Sequence, residues 1–122
     1  MNEKLKVKKD ERGELFELFH LPNDGQVYCV FSEPGAIRAN HYHKRKEEKF
    51  CVIYGEAKIR LRERTTNKIK EFLVSGGAPE IIAISPNSVH NIENTGKNRM
   101  ILIAWTSETF NPADPDTYKE EV

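Results

Sequence analysis

The chain has 122 residues, with 19 Lys plus Arg against 19 Asp plus Glu, so its formal net charge is zero. That length suits one domain, residues 1–122, with a real core, and the balanced charge argues against a nucleic-acid partner, which calls for a basic excess. The apolar runs are too short to span a bilayer, and MNEKLKVKKDERGE at the start has no apolar segment behind its basic residues, unlike a signal peptide, so a cytoplasmic protein without a membrane partner is expected.

In chain order, Leu5 and Val7 alternate with lysines in the pattern of a short edge strand. Asp10–Gly13 reads as a turn. Glu14–Phe19 fits a helical turn or a strand. Leu21–Gly25, reading LPNDG, is a turn, and the β-branched and aromatic run Gln26–Ser32 is a strand. After a second turn at Glu33–Gly35, a strand through His41 and His43, a charged loop and a strand over Phe50–Tyr54 are expected. In Glu56–Arg64, Ala57, Ile59 and Leu61 alternate with Lys58, Arg60 and Arg62, the period of a half-buried strand. Lys68–Val74 returns after a hairpin-like turn. Shorter strands follow over Glu80–Ile84 and Val89–Ile92. Arg99–Trp105 is nearly all apolar, which predicts burial on both faces, and the Pro-rich tail reads as an ordered loop or short helix packed outside. Many short strands separated by Gly, Pro and Asn turns indicate an all-β sandwich or barrel. Cys29 and Cys51 are expected to be reduced small hydrophobes, given no export signal.

Three histidines and one glutamate stand out. His41 and His43 are two apart, so on a strand they share a face, about 6–7 Å apart. Glu48 follows the charged loop, and His90 lies after a later turn on a strand able to run antiparallel to the first. Imidazole plus carboxylate suits Zn, Fe, Mn, Ni or Cu. A closed structural zinc site would favour cysteine. A divalent metal ion held by His41, His43, Glu48 and His90 is therefore expected, with Zn first and Fe, Mn or Ni as alternatives. His20, beside a turn, reads as an ordinary surface histidine.

The spacing Gly35, five residues, His41, one, His43, four, Glu48, six, Gly55 resembles the first cupin motif without a gap. The second motif is looser. Ser85 and Asn87 stand where its Pro and Gly are usual, with His90 and Asn94 in register, and Asn tolerates the left-handed turn conformation. The resemblance implies a cupin double-stranded β-helix, a jelly-roll barrel with short N-terminal strands and an ordered C-terminal tail.

DERGELFEL, RANHYHKRKEEKFCVI, SVHNIENTG and WTSETFNPADPDTY together resemble the C-terminal cupin domain of bifunctional capsular-polysaccharide biosynthesis enzymes, from about Lys8 to Tyr118. In that family the cupin domain epimerises C3 of a UDP-4-keto-6-deoxy sugar and a reductase domain then reduces C4. No GxGxxG motif is present here, so the resemblance implies epimerisation or keto-isomerisation of a UDP- or dTDP-linked sugar, with a separate reductase. Ala39 departs from the family's usual Gly in RGNHYH. Arg38 and Lys49 are candidates for binding pyrophosphate or a developing oxyanion, although strict alternation turns Lys49 away from Glu48. Tyr54 shares the parity of Glu48 and is a candidate proton donor, as Lys49 is a candidate catalytic group. Asn94 is carried as a further substrate contact. Trp105 reads as core packing. Rival readings are a non-catalytic cupin that binds a sugar nucleotide or metal to support a partner, and a metal-dependent dioxygenase. Small cupins pair through an outer strand, which removes an exposed edge, so a homodimer is expected.

Overall fold

The computed structural model describes residues 1–122. Its alternating apolar pattern forms eleven strands: β1 (Lys8–Asp10), β2 (Gly13–Leu21), β3 (Gly25–Ser32), β4 (Ile37–Tyr42), β5 (Glu48–Tyr54), β6 (Glu56–Glu63), β7 (Ile69–Ser75), β8 (Ile82–Ile84), β9 (Ser88–Asn94), β10 (Met100–Thr106) and β11 (Tyr118–Lys119). They make two antiparallel sheets, ordered β1-β2-β3-β10-β5-β8 and β11-β4-β9-β6-β7. Glu14–Phe19 is thus strand, and no helix is present that could cross a membrane.

One core fills the space between the sheets. Val30, Phe50, Val52, Leu102 and Ala104 of the first sheet pack against Ala57, Ile59, Val74 and Ile92 of the second. Strand β6 shows how sequence sets this. Ala57 and Ile59 are buried, while Lys58, Arg60 and Arg62 point outward and pair with Glu71, Glu93 and Glu120. Full burial of a side chain such as Ile59 stabilises by about 1.5–3 kcal/mol.

Three expectations need correction. Strand β10 is not buried on both faces: Met100, Leu102 and Ala104 are buried, whereas Ile101 and Ile103 keep partial exposure because no third layer covers that side. The edge strand begins at Lys8, leaving Leu5 and Val7 exposed beyond it. The tail contains no helix; it runs as a loop into β11, which pairs with β4 through Tyr118↔Tyr42 and Lys119↔His41. Cys29 and Cys51 are free, and both lie opposite Ile103 on strands either side of β10. Two strand spacings put them about 10 Å apart, beyond disulfide reach.

A bulge in β4 matters most for the site. The register jumps from Ala39↔Asn91 to His41↔His90, leaving Asn40 as the extra residue. Ala39 and Asn40 both adopt left-handed backbone, with φ of 74° and 55°. Asn40 is braced by the Asn91 amide and by the amides of Glu120 and Val122. Ala39 has no such compensation, and a left-handed L-residue with a Cβ costs about 1–2 kcal/mol. Ala39→Gly is therefore expected to raise stability by about 1 kcal/mol, part of the relief being offset by unfolded-state entropy. A urea midpoint at or below that of the unsubstituted protein would contradict the strain.

Candidate metal centre

The bulge sets the face that β4 turns inward. His41 and His90 become direct cross-strand partners. His43 follows the end of β4, and its carbonyl accepts the Asn87 amide, which ties the β8–β9 turn to the loop after β4. The other sheet contributes Glu48, the first residue of β5, opposite Thr106. The ligating atoms of His41, His43, Glu48 and His90 all lie within 4.8 Å of one another. Opposite ligands about 2.0–2.2 Å from one ion sit about 4.2 Å apart, so small side-chain rotations suffice. His43, Glu48 and His90 are buried, and His41 alone keeps partial exposure, which marks the open side.

Backbone carbonyls orient two of the rings. His43 Nδ1–H donates to the Asp116 carbonyl at 2.6 Å, and His90 Nδ1–H donates to the Ser88 carbonyl at 2.9 Å. Each Nε2 therefore faces the cluster, the arrangement in which an outer hydrogen bond fixes a ligand's tautomer. Glu48 Oε1 lies 2.6 Å from His43 Nε2 and 3.0 Å from His90 Nε2. The second contact is close but poorly directed, and His90 Nε2 is the one sealed polar side-chain atom with no hydrogen-bond partner. A buried acceptor of that kind carries a cost unless something fills its direction. With a donor set of three imidazoles and one carboxylate, the residues fit a divalent transition metal.

Electrostatics agree with that fit. Burial, reinforced by neighbouring His90, lowers the His41 pKa to about 4, so its lone pair is free at neutral pH. Burial also acts to lower His43, but the Glu48 carboxylate outweighs it and the net shift is upward. Burial would raise Glu48; the hydrogen bond with His43 and the closeness of both imidazoles outweigh it and hold the carboxylate ionised, well below the usual carboxylate range.

The sequence matches the family model described as polysaccharide biosynthesis C-terminal domain over residues 8–118. The chain belongs to that family. It is 36% identical over 109 residues to the UDP-2-acetamido-2,6-beta-L-arabino-hexul-4-ose reductase of Pseudomonas aeruginosa strain PA103, covering 89% of this chain and 29% of that protein. Against the spore coat polysaccharide biosynthesis protein SpsL of Bacillus subtilis strain 168 it is 28% identical over 127 residues, covering 92% of this chain and 84% of SpsL. The capsular polysaccharide assembling protein CapF of Staphylococcus aureus superposes with a TM-score of 0.95 at 40% identity, over 99% of this chain and 34% of CapF. CapF has also been solved with the inhibitor 3-isopropenyl-tropolone, with a TM-score of 0.94 to this chain and the same 40% identity, over 99% of this chain and 35% of that one. Oxalate decarboxylase of Bacillus subtilis, at 20% identity and a TM-score of 0.76, shares the fold, which is that of the cupins. The chain thus spans about a third of the reductase and of CapF.

Within this polysaccharide biosynthesis domain, four residues proposed from sequence lie apart from the cluster. Arg38 faces inward, but Nε donates to Ser32 Oγ at 2.8 Å and Nη2 to the Phe31 carbonyl at 3.2 Å. That is the end of β3 opposite Gln26, whose row leads through Thr106 to Glu48. Lys49 points outward, with Nζ 5.6 Å from the Trp105 ring centre. Tyr54 is turned outward by a second bulge: pairing jumps from Val52↔Leu102 to Tyr54↔Ile101, and the ring is 54% exposed. Asn94 is buried and spends both N–H groups on the Ser32 and Asn98 carbonyls while Oδ1 accepts the Gly96 amide, so its amide is engaged with the chain's own backbone. Trp105 is half-buried on the outer face and donates Nε1–H to the Asp24 carbonyl.

Other residues take their place. Asp116, in the tail, is buried, and its carboxylate accepts the backbone amides of Lys44, Arg45 and Lys46 at 2.8–3.0 Å. Burial acts to raise its pKa, and those three amides outweigh it. Lys46, in the loop that leads into β5, is buried as well. On β3, Tyr28 O–H donates to Gln26 Oε1 at 2.7 Å, Gln26 Nε2 donates to Glu17, and Gln26 Oε1 also accepts the Phe110 amide. Burial, then the charges of Glu17 and Glu48, raise the Tyr28 pKa, so the phenol stays protonated. Period-two parity would have put Gln26 and Tyr28 on one face, but only the strand order β3-β10-β5 reveals that this face leads to Glu48.

Proposed function

We propose that this chain is a metal-dependent cupin that exchanges the C3 proton of a UDP-linked 4-keto-6-deoxy-N-acetylhexosamine, as the epimerising step of surface-polysaccharide synthesis. The observation that carries it is the joint one of a His41–His43–Glu48–His90 cluster on a chain 36% identical, over 89% of its length, to a reductase named for such a hexulose. A ketone at C4 acidifies the C3 proton, and inversion needs that proton removed on one face and returned on the other. A divalent cation, when bound, supplies Lewis acidity toward a sugar oxygen.

The chain's own residues do the rest. Ser88 and Asp116 hold the His90 and His43 rings with Nε2 turned inward. Phe50, packed against His90 with ring centres 5.9 Å apart, closes the inner wall against water. Tyr28, oriented by Gln26, presents a protonated phenol on the Glu48 side of the interior. The eleven strands contain no βαβ unit for a nicotinamide cofactor, so no reduction at C4 is assigned to these 122 residues. Zinc-loaded protein incubated in D₂O with the UDP-4-keto sugar should place deuterium at C3, read by NMR. Retention of protium at C3, with metal bound, would overturn the epimerase reading.

A further inference from the structure

Lys46 is the one charged side chain near the cluster without an obvious occupation. It is 5% exposed, yet no carboxylate pairs with it, and its Nζ lies 5.7 Å from the centre of the Phe110 ring. Lysines are almost never buried this far unless paired, and a cation over phenylalanine is a weak substitute. His90 Nε2 is the sole fully sealed polar atom lacking a partner. The Lys46 ammonium also lacks one, so it must reach accessible space.

The loop shows where that space is. His43, Lys46 and Glu48 are buried while Lys44, Arg45 and Glu47 between them are exposed. The inward direction is enforced, since the Lys46 amide is bound by Asp116 Oδ2 at 3.0 Å and Arg45 is pinned outward by Glu108 and Asp114. Lys46 lies between His43 and Glu48 on the segment that joins β4 to β5, so its side chain starts between two members of the cluster. His41 is the partly open member of the cluster, and it marks the side from which a ligand would reach an unpaired ammonium.

We infer that the Lys46 ammonium binds the anionic oxygen of a ligand lodged at the open side of the metal centre, making this side a site for enolate-like oxygen anions. This rests on the metal-centre reading above, and it gives the loop lysine, rather than Lys49 or Arg38, the oxyanion role. An anion entering there replaces the missing counter-charge, and the pair forms in a setting of low dielectric where a charged hydrogen bond is strong. The Lys46→Met variant keeps the length and apolar stem while removing the charge.

The probe is tropolone, whose anion spreads one negative charge over two adjacent oxygens. Its affinity for zinc-loaded protein is read from its near-ultraviolet absorbance, alongside zinc affinity and melting temperature. Lys46→Met should weaken tropolone by about 10–150-fold, the equivalent of one hydrogen bond to a charged group. Zinc affinity and melting should stay unchanged, and Lys46→Arg should recover part of the loss. Equal tropolone affinity in Lys46→Met, a parallel loss of zinc, or no binding by the unsubstituted protein would each overturn the assignment. No sugar nucleotide is involved, so Lys46-dependent tropolone binding without C3 exchange would retain this site while removing the epimerase reading.

Discussion

Replacing His90 by Gln is expected to weaken zinc binding by more than about 100-fold and to abolish C3 exchange, while the protein still folds. Loss of a group that merely orients a ligand costs about 10–100-fold in affinity, so loss of a ligand itself should exceed that range. His90 is 0% exposed, the most deeply buried member of the cluster, its ring centre 4.7 Å from His41 and 5.6 Å from His43. No exposed side chain can swing in to replace it. Its Nε2 has no hydrogen-bond partner within the protein, so the ring contributes little to folding through that atom. Glutamine has nearly the volume of histidine and keeps a polar end, whereas alanine would leave a cavity and cost about 2–5 kcal/mol for reasons unrelated to metal. Chelator competition gives the affinity, and circular dichroism of the metal-free variant checks the fold. Tyr54→Phe is the matched control: the ring is 54% exposed and outward, and its removal of one hydroxyl should change neither quantity. If His90→Gln held zinc within about threefold of the unsubstituted protein, the four-residue centre would be wrong.

The contrast between these two residues shows what sequence could and could not reveal. Spacing singled out His41, His43, Glu48 and His90, because ligands on strands follow the period of two and turn lengths bring strands together. It singled out Tyr54 by the same parity, and there it failed. Parity survives only while the ladder is regular, and the extra residue Ile53 reverses it for everything beyond Val52. The bulge at Asn40 does the same in β4, turning Arg38 to the inner face along with His41. Bulges leave little mark in composition, although Ala-Asn at φ of 74° and 55° is detectable once backbone is known. Lys49 and Lys46 look alike within KRKEEK. Only the loop path, set by Asp116 from 70 residues away, turns Lys46 inward. In sequence the tail, broken by its prolines, reads as an ordered loop or short helix packed outside. In the fold, that irregularity is what lets Asp116, at φ 48°, face two ways at once.

Asp116→Ala is the second large effect expected, and it separates a strap from a working part of the metal centre. Through its carboxylate Asp116 binds three successive amides, Lys44, Arg45 and Lys46, and through its carbonyl it holds His43 Nδ1–H at 2.6 Å. Hydrogen bonds to a charged acceptor contribute about 1.5–3 kcal/mol each, less than additively when shared by one group. Removing the carboxylate strands three amides in a part-buried loop, and the variant should lose about 2–4 kcal/mol of stability. The effect on metal is distinct from this. With the loop released, His43 loses the carbonyl that fixes its tautomer, and Glu48 loses the fixed path of the loop that leads into β5, so zinc affinity should fall about 10–100-fold. Asp116→Asn discriminates the two. Asn tolerates the left-handed backbone as well as Asp does, so the carbonyl stays in place, while the charge is lost and one amide must face an N–H₂ group. Stability should then drop by an amount close to that of Asp116→Ala, yet zinc affinity should fall by less than about tenfold. Equal zinc affinity in Asp116→Ala and the unsubstituted protein, measured well below the melting temperature of both, would reduce the tail to packing. A fall in both variants by the same factor would instead put the effect on the carboxylate's charge rather than on the ring it holds in place.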